Sequence, residues 1–189
     1  MNDSVPVVIR LHEHRCWVNQ RLLQQGSELS DEQLHQPFAI GQGSFWKTLT
    51  HLYAAEYCWL AAIQGDARPV APGDIWEGLP GNQLGPDAAK SVAELQERWE
   101  TVEADWNSWL GELTPETLTQ QVVKVSSLSG KASDTSILDI VLHVCTHAQY
   151  TVAQGINMLR QLGVTPLPDP MLITLARQQS VQHREAGDP

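Results

Sequence analysis

Cysteine, phenylalanine and basic residues are all scarce in this chain. The three cysteines, Cys16, Cys58 and Cys145, stand far apart and form no C-x-x-C pair, which excludes a zinc ribbon or a dithiol redox motif. They read instead as reduced, small core hydrophobes of a cytoplasmic protein. Lysine and arginine total 12 against 22 acidic residues, a formal net charge of −10, and no basic cluster is visible. A nucleic-acid partner is therefore not expected, because phosphate binding needs a basic face. No apolar run approaches the roughly 20 residues of a membrane span. The start, MNDSVPVVIRLHEH, lacks the basic-then-apolar pattern of a signal peptide. G-x-S-x-G, P-loop, G-x-G-x-x-G and H-E-x-x-H patterns are also missing, so nucleophilic-serine and nucleotide chemistry have no support.

What is present suits a globular chain. With 189 residues, 42% hydrophobic and 18% charged, a single domain over 1–189 can bury a sizeable core. Seven tryptophans outnumber two phenylalanines. Trp99, Trp106 and Trp109, at spacings of seven and three, share one face of a helix and read as packing residues.

Helical periodicity runs from Val5 to Gln25, through Val8, Leu11, Arg15, Val18 and Leu22, with Gly26 as the stop. Ser30 to Gln33 has a capping-box pattern that starts one short turn. Ser44 caps a second long helix, to about Ile63, with a seam of Phe45, Leu49, Leu52, Trp59 and Ile63 and with His51 beside it. Residues 66–86 hold four prolines and four glycines and read as a long irregular loop, of a length that is usually functional or mobile. Trp76 within it either folds over a pocket or anchors the loop to the surface.

Pro86 or Asp87 is expected to open the third helix, which ends near Gly111. Thr114-Pro115 starts one turn. Thr119 to Ser127 with the following LSGKAS suggests a small hairpin. Asp134 or Thr135 is expected to cap the fourth long helix, which stops at Gly163, and LITLARQQSVQHRE makes a short amphipathic helix after a proline-rich stretch. The fold class expected is therefore all-α, an antiparallel four-helix bundle with a long loop between the second and third long helices.

The fourth helix carries the chemistry. His143 and His147, four residues apart, stack on one face one turn from each other. A polar stripe in an apolar helix needs partners when buried, and His51 on the second helix is the best one in the sequence. Three imidazoles meeting in a bundle would hold zinc or nickel with open positions for a water or a substrate. Buried, hydrogen-bonded histidines without a metal are the plainer alternative. Glu56, five residues after His51, is either a carboxylate orienting an imidazole or a solvated surface group. One of His12 and His14 is expected to look inward.

The segments GSFWKTLTHLYAAEYCWL and LHVCTHAQYTVAQGINMLRQLG, with the proline-rich stretch through Asp169, resemble the DinB/YfiT-like superfamily of bacterial four-helix bundles. CWVNQRLL and the following LSDEQL share the resemblance, which spans nearly the whole chain. It implies a homodimeric bundle acting on a small molecule, with a divalent metal on three histidines, and relatives that include thiol S-transferases and isomerases. His51 matches the first ligand place. The family's last-helix pattern resembles H-x-x-x-H-x-x-x-H-R-G-Q, with ligands at its second and third histidines. Here His143 and His147 fill the first and second places, Gln154 is kept, Val152 replaces the arginine, and Thr151 stands at the third ligand. His143 then substitutes from one turn away, or the site is weakened or metal-free. Two readings follow: a metal-dependent thiol transferase or hydrolase, and a non-catalytic relative that binds a small ligand or dimerises without metal.

Overall fold

The protein is described by a computed structural model covering residues 4–78 and 80–185. Four long helices dominate it: α1 (Ser4–Ser27), α3 (Phe45–Ile63), α4 (Val92–Gly111) and α6 (Ile137–Gln161). Shorter elements are α2 (Asp31–His35), α5 (Pro115–Leu118), the strands β1 (Gln121–Val125) and β2 (Ala132–Ser136), and α7 (Leu172–Glu185). The long helices form a four-helix bundle. α6 packs on α3 and α1, while α4 packs on the other sides of α1 and α3. The order around the bundle is thus α1, α6, α3, α4, which puts the successive pairs α1/α3 and α4/α6 across its diagonals.

Local chemistry explains the helix starts. Ser44 Oγ accepts from Lys47 N at 3.2 Å and Ser136 Oγ from Asp139 N at 3.1 Å, each satisfying a first-turn amide. Two boundaries differ from expectation. The third long helix begins at Val92, because Ser91 caps it and the Glu94 carboxylate accepts the Lys90 amide at 3.0 Å. The fourth begins at Ile137, because Asp134 and Thr135 are used in β2. The hairpin forms as expected, with Val122 opposite Thr135 and Lys124 opposite Ser133.

The seams close into one core in which Leu22, Phe45, Leu49, Leu95, Trp99, Trp106, Val141 and Met158 are all buried. Each such side chain stabilises the fold by about 1.5–3 kcal/mol on burial. Cys58 and Cys145 lie in this interior, Cys16 is half-buried, and all three are free. No helix among the described residues is long and apolar enough to cross a membrane.

The loop between α3 and α4 is tied down. Asp74 organises it: its carboxylate accepts from Gly81 N at 2.6 Å and from the Gln83 amide and side chain at 2.9 Å each. Thr50 Oγ1 then donates to Gly81 O at 2.9 Å and fastens the loop to α3. Val125 N donates to Ala67 O at 2.8 Å, which joins the hairpin to the start of the same loop.

Candidate functional site

His51 on α3 and His147 on α6 meet across the bundle with their Nε2 atoms 3.0 Å apart. Both rings are half-buried, tilted by 58° to one another. His51 Nδ1 lies 3.3 Å from the Pro80 carbonyl. A carbonyl only accepts, so Nδ1 carries the proton and the Nε2 lone pair of His51 is bare. The loop enforces this contact. Gly81, at φ +80°, packs so closely on α3 that a Cβ there would stand 2.5 Å from His51 Cα.

Burial lowers the pKa of His51. His147 is lowered to about 4 by burial first and then by the charges of His51 and His143. The pair is therefore neutral at pH 7, the form in which imidazole ligates a metal. Next to it stands Thr151, buried, with Oγ1 3.4 Å from His147 Nε2. His143 is exposed, its ring 5.6 Å from that of His147 and edge-on to Trp59 at 5.4 Å. Four residues advance a helix by about 400°, so His143 is turned roughly 40° away from the line on which His147 meets His51.

His147 and His143 line a cavity of about 310 Å³ closed by Trp59, Trp76, Pro80 and Leu128. Trp76 does therefore fold back from the long loop. Cys58 also lines it, but burial pushes its thiol up to about 11, so it stays protonated and is no nucleophile. A larger hollow of about 530 Å³, beside Trp46 and the start of α4, contains neither member of the histidine pair.

Two zinc-bound imidazole nitrogens at about 2.0–2.1 Å from one ion and near the tetrahedral angle stand roughly 3.3 Å apart. The His51–His147 separation fits that spacing. The remaining donor does not: a neutral hydroxyl occupies the third place, and among the described residues no three His, Cys, Asp or Glu form a group able to hold a metal.

Glu56 takes neither expected role. It is buried, paired with Arg15, and accepts from Trp99 Nε1 at 2.8 Å and from Asn19 Nδ2 at 2.6 Å. Five residues past His51, it faces α1 and α4 instead of the histidines. His12 and His14 are both buried, where one was expected inward. Lys124, Pro80, Gly81 and Asp74, which shape the site, carried no signal in the sequence beyond the proline–glycine step.

The DinB family model matches residues 1–185. The chain belongs to the DinB family. Over 164 residues it is 24% identical to Protein DinB of Bacillus subtilis (strain 168), covering 84% of this chain and 88% of that one. A DinB-like protein from Bacillus cereus superposes with a TM-score of 0.57 at 15% identity, covering 82% of this chain and 91% of that one. YfiT from Bacillus subtilis superposes with a TM-score of 0.50 at 18% identity, over 87% and 89% of the two chains. YfiT is described as a probable metal-dependent hydrolase with an unusual four-helix bundle topology. At these identities the structural likeness shows the shared fold alone. Within that fold, this DinB-family chain brings together two imidazoles and a hydroxyl.

Proposed function

We propose that this DinB-family protein is a divalent-metal-dependent enzyme, a hydrolase or a thiol S-transferase, acting on a small molecule in the His147 cavity. The observation that carries the reading is the contact between the two neutral Nε2 atoms, 3.0 Å apart, beside that cavity. His51 and His147 would hold zinc or nickel, with the third donor from Thr151 or His143. A divalent ion held there would supply Lewis-acid chemistry. The chain's own residues do the rest. The Pro80 carbonyl orients His51, the depressed pKa of His147 keeps its lone pair free at neutral pH, and the tryptophans keep water from the substrate's apolar parts. The family resemblance supports a homodimer, and three free cysteines support a cytoplasmic setting.

Thr151 favours a second reading, a metal-free cavity that binds a small ligand without catalysis. In it His147 Nε2–H donates to the bare Nε2 of His51, and the pair is structural.

Elemental mass spectrometry of untagged protein, alongside His51→Ala and His147→Ala, separates the two. Near-stoichiometric zinc or nickel that is lost in both variants is the expected result. A protein that stays metal-free after incubation with excess zinc and nickel overturns the enzyme reading and leaves the second.

A further inference from the structure

The cavity beside the histidine pair has a charge pattern unlike the rest of the chain. The protein carries 22 acidic residues, yet no carboxylate lines this cavity. Its one charged lining residue is Lys124, whose ammonium sits 5.0 Å from the Trp59 ring centroid. Among the described residues Lys124 has no ion-pair partner. Its cross-strand neighbour is Ser133, whereas Asp134 pairs with Val123 and so points to the opposite face of the hairpin. A second cation stands just outside, the Arg68 guanidinium 4.5 Å from the ring centroid of Trp76. The half-buried indoles of Trp59 and Trp76 offer flat apolar surface.

We propose that this cavity binds a small planar carboxylate, its apolar body against Trp59 and Trp76 and its carboxylate on the Lys124 ammonium. This rests on the reading of the cavity as the small-molecule site and names the class of ligand it takes. About 310 Å³ is at the low end of small-molecule sites, which run from about 300 to 1,000 Å³, so it suits a one- or two-ring acid and not a nucleotide or peptide. Lys124 discriminates because an ammonium donates to a carboxylate through a charge-assisted bond and offers an alcohol much less. An organic cation would meet Lys124 and Arg68 as like charges.

The test compares three probes of one shape, 2-naphthoate, 2-naphthylmethanol and 2-naphthylmethylammonium, by calorimetric titration of the full chain. It is run on chelator-treated protein and again with zinc added. Naphthoate is expected to bind about tenfold tighter than the alcohol, and Lys124→Met to remove that preference while Lys124→Arg keeps it. Trp59→Leu is expected to weaken naphthoate and the alcohol alike, with thermal unfolding checked for every variant. Equal affinity for acid and alcohol, or a preference that survives Lys124→Met, overturns the proposal. So does a preference that exists only with zinc and ignores Lys124, since the carboxylate would then sit on the ion. A Lys124-dependent preference in a protein that never binds metal upholds it even as the metalloenzyme reading fails.

Discussion

If the protein holds a metal as proposed, Thr151 is the residue on which its affinity turns. It is buried with its hydroxyl 3.4 Å from His147 Nε2, where the family resemblance implies a third ligand. A hydroxyl is neutral and weakly donating, while imidazole is a strong ligand for zinc and nickel. Thr151→His is therefore expected to raise zinc affinity by about tenfold or more, since even losing a group that only orients a ligand costs about 10–100-fold. Competition against a chromophoric chelator reads this directly, and unchanged affinity would mean that His143 already supplies the third donor. A second residue sets the response to acid. Burial first, and then the charge of Arg15, takes His12 from the usual 6.5 to about 3. Below pH 6.5 the unfolded chain takes up a proton at His12 that the folded chain refuses, so stability falls as pH drops from 6.5 towards 3. His12 alone costs about 2 kcal/mol by pH 5. His147 acts in the same direction between 6.5 and about 4, and Glu103, raised by burial, works against both. Denaturant titrations at pH 7 and pH 5 should show this loss in the parent chain and a smaller one in His12→Leu.

At the scale of elements, the loop between α3 and α4 is a part of the site and not a spacer. Asp74 pins its two limbs, Thr50 holds Gly81 to α3, and the Pro80 carbonyl then meets His51. A Cβ at position 81 would stand 2.5 Å from His51 Cα and 2.6 Å from His51 N, both backbone atoms that cannot give way. Its φ of +80° also disfavours any side chain. Gly81→Ala should lift the loop from α3 while the bundle stays folded. The expected signs are faster proteolytic cleavage within 66–86, helical circular dichroism close to the parent, and reduced binding in the His147 cavity. A cleavage rate equal to the parent's would show that the loop is held elsewhere. The hairpin has a parallel role, since β1 delivers Lys124 to Trp59 while its backbone is bonded to the loop at Ala67.

Across the whole molecule, the bundle is joined by a buried ionic network as well as by apolar packing. Arg15 and Glu56 are 1% and 2% exposed, and Glu56 also holds Asn19 on α1 and Trp99 on α4. One carboxylate on α3 thus ties it to α4 beside it and to α1 across the bundle. Removing one partner of such a pair leaves an uncompensated buried charge, at a cost of about 3–5 kcal/mol. Glu56→Ala should lower the melting temperature sharply, and Arg15→Met with Glu56→Leu should recover much of the loss. A single variant with unchanged melting would show that the network is bypassed.

The sequence by itself determined the four long helices, the hairpin, the capped turns and the shared face of His143 and His147. These depend on hydrogen bonds and side-chain periodicities spanning a few residues, so neighbours in the chain suffice to set them. Even the two misplaced helix starts were local contests, won by Ser91 at α4 and by strand pairing at α6. The family resemblance pointed to His51 and His147, and the structure brings these two together, with Thr151 beside them. Only the tertiary structure decided which side chains meet. How each helix rotates about its axis puts His147 on His51, leaves His143 at the rim against Trp59, and turns Glu56 inward to Arg15. The order around the bundle, the loop seated on His51 and the lysine over Trp59 likewise come from packing between segments far apart in the chain, where no local periodicity reaches.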